Sequence, residues 1–323
     1  MNSLGWNQSK YEAKQIETQI KRFTDDNHKW FGWNQNYKAA LNEFIEEATS
    51  YNLQSLDYFS KDNIQEWIPK DDAHAGWSYI ITGLKQKGEY RGNLLHDFNE
   101  EVKKARLNNT FGKKVIIGTR TQANSPYDTR TGERTNEYKP KTRLVSMIDI
   151  YQVLAETIFA GPFQKKIGQL QWYAGGKSNT IQRNIIIMMR KKFNKGWLSI
   201  DYSKYDQSIS NWLIKDAFRV VRAAFSKDKN FDEELFSIIE RDFIYKTIVD
   251  GNEKPRKSSK GVPSGSMFTQ IIDSIVNKLM IDTFFKSKGK AKRDYQLFIM
   301  GDDNLIYYNG QEDCEYILTE MES

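Results

Sequence analysis

The chain has 323 residues, a net charge of +6, three histidines and a single cysteine. Cys314 alone excludes an internal disulfide, and so few soft ligands argue against a His/Cys zinc site, which leaves oxygen as the donor for any bound metal. Hydrophobic content of 39% with 8 Trp, 17 Tyr and 18 Phe predicts a folded globule, while the longest apolar run, Ile185–Met189, is far too short to span a bilayer.

From the N-terminus, "MNSLGWNQSKYEAKQ" lacks the apolar stretch of a secretory leader. Periodicity then predicts amphipathic helices near 10–23, 37–49 and 94–107. A polar strand-and-loop stretch, from Lys113 to Val145, follows. Residues 146–163 read as a helix that stops at Gly161-Pro162, since proline has no N–H to continue the ladder. Gly175-Gly176 opens a loop that leads into another helix. Leu198 and Ile200 alternate with Ser199 and Asp201, which predicts a short strand ending in an acid. Trp212, Leu213, Ala217, Phe218, Val220, Val221, Ala224 and Phe225 fall at helical spacing after it. A second helix follows Ser264-Gly265, and "FIMGDDNLIYY" (298–308) reads as strand, turn, strand. The order predicts an α+β or α/β core with an antiparallel piece of sheet. Positive charge gathers at Lys113-Lys114 and in segments 139–143, 254–260 and 286–293, each of turn-like composition. Such a distribution suits a polyanionic partner, or simply a soluble basic protein.

Three constellations share one chemistry. Asp201 stands at a strand end with Asp206 five residues on, although Asp206 or Ser208 would equally serve as a helix cap. Thr269, Asp273 and Asn277 recur at every fourth position and so share a helix face, directly after a Ser264-Gly265 pair able to present backbone N–H groups. Short polar side chains there suit a face against a ligand; a solvated face would be richer in Lys and Glu. Asp302 and Asp303 sit on a hairpin tip, where Gly, Asp and Asn also make ordinary turns. Brought beside Asp201, they would repel by several kcal/mol at an effective dielectric near ~20 unless cations intervene. Two Mg²⁺ ions about 3.5–4 Å apart would neutralise them and clamp the oxygens of an in-line phosphoryl transfer.

In order and spacing, Asp201-x4-Asp206, Ser264-Gly265-x3-Thr269-x3-Asp273-x3-Asn277 and Gly301-Asp302-Asp303 resemble motifs A, B and C of viral RNA-dependent RNA polymerases. The pattern is most similar to the polymerases of picobirnaviruses and partitiviruses, a double-stranded RNA virus group. The resemblance implies a right-hand α+β fold, with residues 1–195 mainly fingers and residues 196–310 the palm core. It implies that Asp201 and Asp302 ligate two Mg²⁺ (or Mn²⁺) ions with Asp303 in support, and that Asp206, Thr269, Asp273 and Asn277 sense the ribose hydroxyls beside Ser264 and Gly265. Many related enzymes carry Asn where this chain has Asp273, so Asp273 would alternatively orient Asn277 or Ser264. Lys139, Lys141 and Arg143 resemble the basic fingers motif that neutralises the triphosphate, with Lys113, Lys114 and Arg120 in the same strand pair. A solvated basic loop would read the same.

Implied partners are template and product RNA and nucleoside triphosphates, with viral capsid protein as a candidate, in the host cytoplasm or the virion interior. Reverse transcriptases carry an aromatic residue where this chain has Asp206, which favours ribonucleotides here. The alternatives are a reverse transcriptase-like polymerase and a non-catalytic RNA-binding protein. Residues 311–323 read as the start of a further palm segment; the expectation is a chain without a thumb, and weak polymerisation by it alone.

Overall fold

The computed structural model describes residues 7–8, 13–24, 35–57, 76–80, 93–121, 123–124, 142–193, 196–202, 204–249 and 255–309. Lys139, Lys141 and segment 311–323 lie outside them. The first part of the chain forms β1 (Asn7–Gln8), α1 (Ala13–Thr24), α2 (Gln35–Thr49), α3 (Trp77–Ile80), α4 (Leu94–Asn108), β2 (Val115–Thr121), β3 (Ala123–Asn124), β4 (Thr142–Met147), α5 (Ile150–Ile167) and α6 (Asn179–Lys192). The second part forms β5 (Gly196–Leu198), α7 (Tyr205–Ser208), α8 (Asn211–Ala224), α9 (Glu233–Ile244), β6 (Lys246–Val249), β7 (Pro255–Ser258), α10 (Thr269–Ser287), β8 (Tyr295–Met300) and β9 (Asp303–Tyr308).

Among the described residues the strands form three sheets. A four-stranded sheet runs β4-β2-β6-β7, with β2 and β6 parallel and the other pairs antiparallel. It draws strands from both sides of residue 196. A second sheet, β5-β9-β8, is antiparallel throughout, and β1 pairs with β3. Ile299 on β8 also accepts from Ala174 and donates to Trp172, so the loop after α5 covers that edge.

Three expectations need correction. Helix α5 does not stop at Gly161-Pro162 but continues to Ile167. Pro162 leaves the carbonyl of Ile158 without its helical donor, and the distant Leu56 N–H takes its place at 3.0 Å. Residues 255–258, read as part of a basic loop, form strand β7, which pairs Lys246 with Ser258 and Val249 with Pro255. Its proline sits at the first position of an edge strand, where no ladder donor is needed. Strand β5 ends at Leu198, before Asp201.

The main core is helical. Phe218 of α8 meets Phe236 and Phe243 of α9 and Phe268 before α10 at ring separations of 5.8, 5.2 and 5.1 Å, all near edge-on. Such pairs add about 0.5–1.5 kcal/mol each beyond burial. Around them pack Leu154, Ile158 and Phe159 of α5 and Phe44 of α2, all fully buried. Helix α10 is buried nearly all round, its polar residues Asp273, Asn277, Lys278 and Asp282 included. Lys278 is accommodated by an ion pair to Asp282 at 2.6 Å, whose other oxygen accepts from Tyr295 at 2.7 Å.

Candidate active site

The opening hairpin is built by its turn. Met300 pairs with Asp303, which leaves Gly301 and Asp302 as a two-residue connection. Gly301 has φ +66, a value open to glycine at no steric cost. Helix α10 then fixes the turn in space. Ser274 Oγ accepts from the Gly301 N–H at 2.8 Å, and Asn277 Nδ2 donates to the carbonyls of Gly301 and Asp302 at 2.9 and 3.0 Å. The polar face of α10 therefore lies against the turn, with Asn277 fully buried and engaged on it.

Asp201 is placed by a residue outside the three motifs. Asn304, 5% exposed, accepts from the Ile200 N–H and donates to the Ile200 carbonyl, at 2.9 and 3.0 Å, while its own carbonyl accepts from Ser199 Oγ. Its amide thus extends the pairing of β5 beyond Leu198 and brings exposed Asp201 beside the turn. A second bond, from Asn304 Nδ2 to the Asp302 carbonyl at 3.2 Å, ties both acids to one side chain.

Asp206 lies in the short helix α7, and Lys204 before it adopts left-handed φ 57. A non-glycine residue there is uncommon and marks a constrained turn. Tyr205 donates to the Asp273 carbonyl at 2.9 Å and Tyr202 to Asn277 Oδ1 at 3.3 Å, locking the Asp201–Asp206 segment onto α10.

Asp201, Asp206 and Asp302 line one cavity of about 390 Å³, together with Arg143, Arg22 and Lys204. Burial, then the charge of Asp302, pushes the Asp206 carboxyl above the ordinary range, and Arg143 opposes the shift. Asp303 is pushed up by burial and by Asp302 and Asp201. Asp273, 4% exposed, is pushed well up by burial and then by Asp206 and Asp302, and its Oδ1 has no hydrogen-bond partner among the described residues. The acids therefore form one electrostatically coupled group. Arg143 of β4, on the same cavity, stands directly opposite Arg120 of β2, both exposed. Like charges in that register are unfavourable unless an anion lies between them. Lys113 and Lys114 precede the strand, Lys113 paired with Glu101 and Lys114 over the Trp77 ring.

Ser264 and Gly265 are exposed in the loop before α10. Ser264 Oγ accepts from the Ser146 N–H at 2.9 Å, and Thr269 Oγ1 donates to the carbonyls of Pro263 and Ser266. These residues join the end of β4 to the start of α10. The donor set of the acids is oxygen alone, held at a turn and beyond a strand end, and hard oxygen donors match Mg²⁺ or Mn²⁺. Among the described residues no group of three or more His, Cys, Asp or Glu side chains is arranged to hold an ion.

The sequence compares in the same sense. A family model described as viral RNA-dependent RNA polymerase matches residues 9–319. The chain belongs to this family. It is 32% identical over 147 residues to the RNA-directed RNA polymerase of Cryptosporidium parvum virus 1 (strain KSU-1), a stretch that covers 42% of this chain and 25% of that protein. The match thus takes in a quarter of the relative's length. The mixed α/β architecture is consistent with a viral RNA-dependent RNA polymerase domain. Among the described residues no helix is long and apolar enough to cross a membrane.

Sequence reasoning missed four residues that shape this candidate site. Asn304 reads as one more turn former after Gly-Asp-Asp, and Arg22 lies in an amphipathic helix remote in sequence. Lys204 and Tyr202 lie between two acids that drew the attention. Only the register of β9 against β5 gives Asn304 away, because an amide at a buried strand position needs a partner.

Proposed function

We propose that the chain is the fingers and palm of a polymerase that extends RNA by template-directed ribonucleotidyl transfer, in replication of a viral genome. Residues before 196 supply mainly fingers, residues 196–310 the palm. Asp201 and Asp302 would hold two divalent cations with Asp303 in support; when bound, Mg²⁺ or Mn²⁺ supplies charge neutralisation and Lewis-acid stabilisation at the reacting phosphate. The chain's own groups do the rest. Arg143 and Arg120, with Lys139 and Lys141 of the same basic segment, receive the triphosphate. Asp206 lies where a ribose hydroxyl donates to it, and Asp273 and Asn277 support that edge of the pocket with Thr269, Ser264 and Gly265. The expected partners are template and product RNA and nucleoside triphosphates, with capsid protein a candidate, in the host cytoplasm or virion interior.

The observation that carries this reading is the meeting of Asp201, Asp206 and Asp302 on one cavity with Arg143 across from them. A phosphate-binding protein without catalysis gains nothing from three acids beside its ligand. The test is incorporation of labelled ribonucleotides by the full chain on an RNA template with Mg²⁺ or Mn²⁺. Asp201→Asn and Asp302→Asn are each expected to lower incorporation at least ~100-fold, in line with loss of an electrostatic catalytic group. Incorporation that survives both substitutions, or that prefers deoxyribonucleotides, would sink the reading.

A further inference from the structure

The loop between β7 and α10 carries Ser264 and Gly265, and two buried charges outside the sequence motifs grip its ends. Lys246 of β6 is 4% exposed, and its ammonium donates to the carbonyls of Lys260 at 2.9 Å, Gly261 at 2.7 Å and Phe243 at 3.2 Å. In the charged form all three of its protons are used. At the other end Glu156 of α5, fully buried, accepts from Ser266 Oγ at 2.7 Å and the Met267 N–H at 2.8 Å. Gln152, one turn earlier, holds its second oxygen at 3.1 Å. Cation meets carbonyls and anion meets N–H and O–H groups, so each charge matches the backbone polarity it faces.

Between these grips the loop touches the candidate nucleotide pocket. The Gly261 N–H donates to the Ile209 carbonyl at 2.8 Å, and the Val262 N–H to the carbonyl of Asp206 itself at 2.7 Å. The peptide run 260–262 is thus held by Lys246 on one side and holds α7 on the other. Stability alone does not ask for this charge: a buried ammonium solvated only by carbonyls is generally no better than an apolar side chain of the same volume. Among the described residues no carboxylate pairs with Lys246.

We infer that Lys246 and Glu156 are positioning residues of the nucleotide pocket, setting the 260–267 loop and through it the placement of Asp206 against α10. This rests on the polymerase reading for the role of Asp206, but the grip itself does not. The test compares the full wild-type chain with Lys246→Met and Glu156→Gln. Three quantities are read: melting temperature, amide hydrogen exchange over 259–268, and the ratio of ATP to 2′-deoxy-ATP affinity by calorimetry with Mg²⁺. For Lys246→Met the expectation is a melting temperature no lower than wild type, exchange at Gly261 and Val262 at least ~10-fold faster, and an affinity ratio at least ~3-fold smaller. Glu156→Gln keeps an acceptor for Met267, and shifts the ratio the same way; it carries the test if Lys246→Met melts lower. An unchanged ratio in both variants overturns the inference even where exchange quickens. If the wild type binds neither nucleotide, the polymerase reading fails instead, and exchange decides the grip: unchanged rates overturn it, faster rates uphold it.

Discussion

Asn304 and Ile200 exchange a reciprocal pair of hydrogen bonds, the side-chain amide of one closing on the backbone N–H and carbonyl of the other. This contact, rather than a longer strand, sets where Asp201 stands relative to Asp302. Replacing Asn304 with Leu keeps the volume but strands both backbone groups and frees the Asp302 carbonyl of one donor. An unsatisfied buried polar group costs about 1–3 kcal/mol, so Asn304→Leu should lose about 2 kcal/mol or more in urea unfolding. Ribonucleotide incorporation should fall further than stability alone explains, because two acids lose their common tether.

Behind burial, the largest cause in each case, Asp302 is the charge that recurs in pushing up Asp206, Asp303 and Asp273. A carboxyl whose folded pKa is raised binds its proton more tightly when folded, so stability is greatest in acid and is lost as pH climbs from the ordinary carboxylate range through the raised one. Asp302→Asn removes a source of that loss. Without divalent cations the variant should therefore be more stable than wild type at neutral pH, with the gain vanishing near pH 4. Added Mg²⁺ or Mn²⁺ at about 100 times its dissociation constant should stabilise the wild type by ~2.7 kcal/mol and the variant by much less. Equal stabilisation of both would show that the ion binds elsewhere.

Asp273 presents a sharper version of the same balance. Its carboxyl is buried, its Oδ1 lacks a hydrogen bond among the described residues, and burial is the largest cause of its raised pKa. Asp273→Asn removes the charge at constant shape. Unfolding free energy should rise at neutral pH and change little in acid, where the wild-type carboxyl is already protonated. A variant destabilised equally at both pH values would mean that the orphan oxygen meets a donor that asparagine cannot replace.

Much of the architecture could be read from spacing. The helices at 10–23, 37–49 and 94–107 match α1, α2 and α4 within a few residues, because one apolar face every 3.6 residues is a local signal. The hairpin at 298–308 was equally legible, since its glycine and flanking apolar runs are adjacent in sequence. What escaped depends on distant partners. Pro162 fails to end α5 because Leu56, more than a hundred residues earlier, supplies the missing donor. Strand β7 looks like a basic loop because its half-buried Arg256 and exposed Lys257 hide the pairing with β6. The Thr269-Asp273-Asn277 face was visible as a face, but what covers it, the turn at Gly301 and the Tyr202–Tyr205 segment, was not. The roles of Lys246 and Glu156 were invisible for a similar reason, since a charge in an apolar strand or helix does not announce which carbonyl or amide it meets.

Gly265 tests the joint between the α10 loop and β4. A Cβ built there would lie 2.0 Å from the carbonyl oxygen of Ser146, a backbone atom that cannot step aside as a side chain would. Gly265→Ala should cost about 1–3 kcal/mol, the range for forced overpacking, and should weaken nucleotide binding by moving Ser264 from the Ser146 N–H. Gly161 in α5 is the control. Its nearest neighbour is the flexible end of Leu56 at 3.6 Å, so Gly161→Ala should be neutral or stabilising by about 0.5–1 kcal/mol. Chemical denaturation of both variants checks the contrast.

The buried ammonium of Lys246 gives the fold a pH signature of its own. Burial pushes its pKa from the ordinary 10.5 down to about 7. Between these values the unfolded chain binds the proton more fully than the folded one, so stability should rise with pH across that window. Below about pH 7 both states are charged and the cost of burial is complete. The three carbonyls around the ammonium oppose the shift and narrow the window without changing its sign. Lys246→Met has no such proton to lose. The difference in unfolding free energy between wild type and Lys246→Met, with all other titrating groups common to both, should therefore favour the variant near pH 7 and shrink towards about pH 9–10. A difference that stays flat across the window would mean that the ammonium remains fully charged in the folded protein, its carbonyl partners compensating entirely for the water it has lost.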